Sequence, residues 1–297
     1  PDKSLAVSFF SAIRPSWTTV GYSMPEPILY ESHCHTPLCK HAEGAPGEYA
    51  AIAEIRGLKG IIVTCHCPLP DGFSAGVRMA PEQFETYGGM VASAREAWQG
   101  RVDIRLGLES DYYPGVEPWL EELHARVPLH HVLGSVHFQV GDYRRLYDPG
   151  TDFGYQQVYY EHLAQAAETG LYDTLAHPDL IKNDNPKAWD FARIQPFIER
   201  SLDRIAATGV AMELNTSGRN KSLPEMNPSA AQLTLMRERG IPVVLGADAH
   251  HPKRVADHYP EALRLLQEAG YENVSLFLNR QRQEIPIPTA LASLKNN

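Results

Sequence analysis

The sequence predicts an α/β protein in which about seven β/α units form a barrel, with a metal site where the carboxyl ends of the strands meet. Three observations point there. Short runs rich in Val, Ile and Leu alternate with amphipathic stretches along most of the chain, the rhythm of strands buried on both faces and followed by helices. Nearly every such run finishes on a histidine or a carboxylate. Those terminal residues recur at intervals of 28 to 43 residues, about one β/α unit each. Seven units in one chain favour a barrel over an open sheet.

The first run, ILY (28–30), leads into 31-ESHCHTPLCKH-41, which packs three histidines and two cysteines into eleven residues. GIIVTC (60–65) precedes His66, and DIRLGLE (103–109) ends on Glu109. HHVLGSVHF (130–138) carries His137, and DTLAH (173–177) ends on His177. VAMELN (210–215) ends on Asn215, and IPVVLGADAH (241–250) closes on Asp248 and His250. Between them PGEYAAIAEIRGL, ARIQPFIERSLDRIAATG and SAAQLTLMRERG read as helices. Gly57, Gly209, Gly240 and Gly270 stand where a helix end needs a left-handed residue. The stretch 139–155 reads as a long loop after the fourth strand, a usual place for substrate contacts. Residues 1–24 read as an N-terminal extension and residues 25–297 as a single catalytic barrel domain.

Composition narrows the function. The chain has 297 residues, 27 basic and 36 acidic, for a net charge of −9 without runs of like charge. A nucleic-acid polymer would call for a basic stripe, so none is expected as a partner. No apolar stretch approaches the ~20 residues of a membrane span. The opening lacks a basic region leading an apolar core, so a secretory signal is not expected and the protein reads as cytoplasmic. A homo-oligomer is left open. All four cysteines fall among histidines in the first quarter of the chain, unlike a secreted disulfide scaffold.

A barrel gathers its strand ends on one face, so the terminal residues converge although they are far apart in sequence. His33 and His35, like Asp248 and His250, stand two apart and therefore share a side of an extended strand. Imidazole with carboxylate suits zinc, manganese or iron. A single histidine is more simply a satisfied polar residue, and His124, His130, His131, His162, His251 and His258 are read so. No C-x-x-C pair exists. Cys34 faces away from its neighbours His33 and His35, and Cys65 and Cys67 face away from His66, so these read as small buried residues. Cys39 sits in a loop and is left open. Outside the cluster, Arg219, Lys182 and Asn215 follow strand ends and are candidates for substrate binding, the two cations as phosphate grips.

The stretches SHCHTPLCKHAEG, GLKGIIVTCHCPLP, GLESDYYPG, VLGSVHF, LAHPDLIK, ELNTSGRNK and VVLGADAHHP resemble the PHP (polymerase and histidinol phosphatase) family of metallo-phosphoesterases over roughly residues 28–285. HTPLC.HA and NTSG resemble its histidinol-phosphatase branch. The resemblance implies a distorted seven-stranded barrel, a (β/α)7 fold, holding two or three divalent ions (Zn, Mn or Fe). It implies His33, His35, Glu109 and Asp248 as ligands of one ion, and His41, His66 and His250 of a second. Glu109 would bridge to a third, completed by His137 and His177. The implied substrate is a small phosphate ester, L-histidinol phosphate, hydrolysed by a metal-bound hydroxide within histidine biosynthesis. Asp248 and His250 are the expected catalytic residues, and Asp111 or Glu43 acidic partners for the amine and imidazole. Glu31 and Cys65 depart from the family, which commonly has Asp at both places, where either would support a ligand. A related phosphatase acting on nucleotides or other small phosphoesters is the nearest alternative. An amidohydrolase is disfavoured because the fourth strand ends SVHF without a lysine, and a non-enzymatic module because the whole donor set is present.

Overall fold

In the computed structural model, which describes residues 26–295, the apolar runs become strands and the amphipathic stretches helices. The first units are β1 Tyr30–Cys34, α1 Pro46–Arg56, β2 Gly60–Val63 and α2 Phe84–Ala97. Next come β3 Asp103–Leu106, β4 Leu108–Asp111, α3 Glu117–Ala125, β5 Val132–Ser135, α4 Gly141–Tyr147 and α5 Asp152–Glu168. They are followed by β6 Thr174–Leu175, α6 Phe191–Thr208, β7 Ala211–Asn215, α7 Ala230–Glu238 and β8 Val243–Gly246. The chain closes with α8 Tyr259–Glu268, β9 Asn273–Leu278, β10 Gln281–Pro286 and α9 Ile287–Ser293. The expected extension, residues 1–24, lies outside the described residues.

The strands run parallel from β1 to β8, in two hydrogen-bonded pieces, β1-β2-β3 and β4-β5-β6-β7-β8. β3 and β4 are one strand interrupted at Gly107, where a Cβ would meet the His131 carbonyl at 2.7 Å and Thr64 at the same distance. The other seam lies between β8 and β1. There a parallel bridge joins Cys34 to Ala249, with His35 N donating to Ala249 O at 3.0 Å and Ala249 N to His33 O at 2.9 Å. Seven strands therefore surround one core, in the distorted barrel that the sequence predicts.

The four helix-ending glycines take left-handed φ values, from 67° at Gly240 to 88° at Gly270, which a Cβ would strain. Two features differ from expectation. The antiparallel hairpin β9–β10 adds to the start of β8, and its short alternating run was not read as part of the sheet. The stretch 139–155 is not a bare loop, because α4 and the first turn of α5 occupy it. Thr151 caps α5 by accepting from Gly154 N, and Tyr143 packs into the core. No helix among the described residues is long and apolar enough to cross a membrane.

Glu31 locks the β8–β1 seam. Its fully buried carboxylate accepts from the backbone amides of His33 (3.0 Å), Ala247 (2.9 Å) and Ala256 (2.6 Å) and from the Tyr259 hydroxyl (3.1 Å). Burial pushes this carboxyl up and the three amides pull it back, leaving it at about 7. Glu31 thus supports His33 through its main-chain amide and bonds no histidine ring. Glu31→Ala would orphan buried donors at about 1–3 kcal/mol each. It is expected to destabilise the metal-free protein by about 3 kcal/mol or more, read from the urea midpoint.

Candidate metal centre

Strand pleating places the centre. His33 and His35 leave the same side of β1, their ring centroids 5.1 Å apart, and the neighbouring strand ends supply the rest. Glu109, on β4 and without solvent exposure, sits in the middle. Its Oε2 lies 2.7 Å from His66 Nδ1, 3.4 Å from His33 Nε2 and 3.6 Å from His35 Nε2. Its Oε1 lies 3.2 Å from His177 Nε2 and 3.4 Å from His137 Nε2, and accepts from Ser135 Oγ at 2.5 Å. Asp248 closes the far side, with Oδ1 at 3.2 Å from His35 Nε2 and 3.7 Å from His33 Nε2, and Oδ2 accepting from Ser217 Oγ at 3.2 Å. His250 stacks on His35 at 3.9 Å between centroids and on His41 at 4.5 Å. His41, on the exposed rim, is the loop member that pleating alone does not select.

Two of these residues carry unusual backbone. His177 has φ of 30° and Asp248 of 49°, a left-handed region costly for side chains of this kind and common at functional sites. Glu213 helps to hold one of them. Its Oε1 pairs with His33 Nδ1 at 2.8 Å, while Oε2 accepts from His177 N and Asn215 Nδ2, both at 2.9 Å. Gly246 makes room for it, since a Cβ there would collide with the Glu213 carboxylate and lie 2.8 Å from His33 Cβ.

The donor set fits divalent metal. Buried atoms without a hydrogen-bond partner include His33 Nε2, His66 Nδ1, Glu109 Oε2 and His250 Nε2. Unpaired buried polar atoms are expensive, and here they converge. Compact groups such as His33–His35–Asp248 and His35–His66–His250 have potential ligand atoms within 4.8 Å of one another. The opposite ring nitrogens are oriented as ligating histidines require: His33 by Glu213, His137 Nδ1 by Asp111 (2.9 Å), His41 Nδ1 by Cys39 O (2.7 Å) and His250 Nδ1 by Asp248 O (3.0 Å).

The electrostatics match. Burial alone would raise the Glu109 carboxyl, but His66, His33 and His137 hold it well below the usual range. Burial would lower the His137 ring, yet Asp111 and Glu109 raise it to about 10. His33 is likewise raised against burial by Glu213, Glu109 and Asp248. Without metal, protonated rings balance the carboxylates; with metal, those protons must leave. Burial would also raise Asp111, but Arg78 and then His137 keep it ionised. Arg78 is itself nearly buried and grips Asp111 through both oxygens, at 3.2 and 2.6 Å.

The cluster opens into a cleft of about 580 Å³, lined in part by His41, His66, His137, His177, Asp248 and His250. The three substrate-binding candidates are not on its walls. Arg219 turns outward to Glu261 on α8 and to Pro224 O. Lys182 is fully buried between Asp179 (2.9 Å) and Glu225 (3.0 Å). Asn215 bonds Glu213 and accepts from Ser217 N at 2.9 Å, holding its own turn. Asp111 is consumed by Arg78 and His137, whereas Glu43 does line the cleft, with Arg78, Lys221, Arg254 and Asp257. The six histidines set aside earlier lie outside the central cluster. His131, His162 and His124, for example, bond Thr174, Tyr143 and Ser110. Glu213 was missed, although a Glu inside a buried strand is itself a signal.

A barrel with a buried histidine–carboxylate cluster at its carboxyl face has the architecture of barrel metalloenzymes. Residues 31–217 match the PHP domain, and the chain belongs to that family. It is 35% identical over 264 residues to a Deinococcus radiodurans protein named a probable histidinol-phosphatase, covering 86% of this chain and 98% of that one. Bacillus subtilis histidinol-phosphatase is 27% identical over 267 residues, 77% of this chain and 96% of that protein. The fold matches the crystal structure of Lactococcus lactis histidinol phosphate phosphatase complexed with zinc, L-histidinol and phosphate. The TM-score is 0.70 at 21% identity, covering 86% of this chain and 98% of that one.

Two outcomes follow from the geometry. Glu213→Gln keeps the shape but removes the charge behind His33, and is expected to weaken metal binding about 10–100-fold, read by competition with a chromophoric chelator. The metal-free protein is expected to be most stable between about pH 4.5 and 6.5, where the depressed carboxylates are ionised and the raised histidines protonated. Its melting temperature should fall as pH rises from there toward 10, where His137 loses its proton. Metal-loaded protein should lack that decline.

Proposed function

We propose that this chain is a metal-dependent phosphomonoesterase that hydrolyses L-histidinol phosphate to L-histidinol and phosphate. The observation that carries the reading is the convergence of seven histidines with Glu109 and Asp248 at the foot of the cleft, with unpartnered atoms aimed inward. The named relatives support the substrate. His33, His35, Glu109 and Asp248 would hold one divalent ion, His41, His66 and His250 a second, and Glu109, His137 and His177 a third, with zinc, manganese or iron as candidates. When bound, such ions lower the pKa of water toward ~7 and neutralise phosphoryl oxygens.

The chain's own residues do the rest. Glu213 and Asp111 fix the rings of His33 and His137, so the donors are oriented before substrate arrives. Asp248, held by Ser217 and facing the cleft, is placed to hold a proton at Oδ2, while His250, its Nδ1 fixed on Asp248 O, would give Nε2 to the second ion. With the centre loaded, the ions outweigh its two carboxylates, so a phosphate is attracted despite the net charge of −9. Lys221 adds positive charge to the cleft wall and Glu43 offers a carboxylate to an aminium group, whereas Arg78 is paired with Asp111 and Arg254 with Asp257.

The test is phosphate release from L-histidinol phosphate beside nucleoside monophosphates and p-nitrophenyl phosphate, after separate reconstitution with zinc, manganese and iron(II). Preference for L-histidinol phosphate with two or three ions bound is expected. Metal binding with turnover of other esters only would replace the substrate and keep the chemistry, and absence of turnover with every metal would sink the proposal. Chelator treatment should abolish activity, and readdition restore it. Asp248→Asn is expected to lower kcat at least about 100-fold. Arg219→Ala should leave KM within about twofold, since it removes only an exposed ion pair.

A further inference from the structure

Two rings, His35 and His177, turn Nε2 toward the carboxylates and leave a buried Nδ1 without a partner. The Nε2 of His35 faces Asp248 and Glu109, at 3.2 and 3.6 Å, so its Nδ1 points back into the core. That atom is buried and, unlike the Nδ1 of His33, His41, His137 or His250, has no hydrogen-bond partner. A ligating histidine nearly always gives its second nitrogen to an acceptor.

What lies beside the ring is sulfur. Cys39 and Cys65 are both free and buried, and their sulfurs lie within 4.8 Å of each other and of a His35 ring nitrogen. Cys65 Sγ is already used as an acceptor: Thr36 N and Thr36 Oγ are aimed at it, at 3.4 and 3.2 Å, and the sulfur has the Thr36 carbonyl at 3.6 Å for its own hydrogen. Cys39 lies on the short turn Pro37–Cys39, directly after the H-x-H strand, and its carbonyl fixes His41. Cys39 thus fixes His41 through its main chain and places its sulfur within 4.8 Å of ring nitrogens of His35, His41 and His250.

We propose that Cys39 and Cys65 form a sulfur pair that positions His35 in the metal centre, as Glu213 does for His33 and Asp111 for His137. Sulfur is large and polarisable, so the pair fills the apolar space behind the ring while offering it an acceptor. The two cysteines are positioning residues and not ligands. Cys65 Sγ is held by Thr36, whereas Cys39 Sγ also lies within 4.8 Å of ring nitrogens of His41 and His250, so ligation by Cys39 is the alternative that the cobalt spectrum decides. This inference rests on the metal-dependent reading above.

The experiment measures zinc affinity without turnover in wild type, Cys39→Ala, Cys65→Ala and Cys65→Asp, with the fold of each followed by thermal unfolding of the metal-free protein. Both alanine variants are expected to bind zinc about 10–100-fold more weakly, and to lose kcat more than KM. Cys65→Asp is expected to recover most of the affinity, because it returns an acceptor to the same place. A packing role predicts the reverse order, near-silent alanines and a damaging buried aspartate, and that result would overturn the proposal. The cobalt(II)-loaded wild type separates positioning from ligation. It is expected to lack a thiolate-to-cobalt charge-transfer band in the near ultraviolet, and a band that vanished in Cys39→Ala would make the sulfur a ligand instead. Wild-type protein that bound no metal would overturn both readings, whereas alanine variants with wild-type affinity would overturn only this one.

Discussion

A carboxylate with no access to water sits near the axis of this barrel, and the arrangement around it follows from that constraint. Glu109 cannot remain ionised in such a place without positive charge close by. Five histidine rings supply contacts within 3.6 Å. Protons on His33 and His137, whose rings are raised, can balance the charge, and so can divalent cations, because imidazole and carboxylate are their natural ligands. The centre is therefore a converging donor set of the kind that suits a divalent cation.

Holding such a set open takes a second ring of fixed groups. Glu213 joins β1, the end of β6 and β7 through one carboxylate. Asp111 does the same for His137 and is itself kept charged by Arg78. Glu31 spans the seam at which the barrel would otherwise part, through the His33 amide on β1 and the Ala247 and Ala256 amides that follow β8. These buried charges lie in multiply bonded networks, which limits the penalty of removing them from water and fixes geometry in return. The left-handed backbone at His177 and Asp248 is tolerable in the same setting, since both residues are tied by hydrogen bonds from several directions.

The legibility of the sequence followed the range of the interactions involved. Strand periodicity and helix-ending glycines are local, and they located the seven units and Gly57, Gly209, Gly240 and Gly270 correctly. Convergence of the H-x-H, the D-x-H and the other strand ends required only the rule that a barrel collects its carboxyl ends. Arg219 and Lys182 could not be resolved in this way. A cation after a strand end reaches several ångströms in many directions, and its direction depends on partners such as Glu261 and Asp179, which arrive from elsewhere. Glu213 was passed over for Asn215 because both face the same side of β7, and only packing shows which one meets His33.

The sequence by itself determined the fold class, the face that carries the chemistry and the residues that gather there, because alternation and β/α spacing are written into the chain. The tertiary structure decided which gathered residues face the cleft, which ones only hold others, and which cations are already spent on buried or surface partners. It also placed Cys65, read as small buried filling, and Cys39, which the sequence left open, beside a metal-type histidine. Those choices depend on distances between atoms more than a hundred residues apart in some cases, as with His33 and Glu213, and no local pattern encodes such a distance.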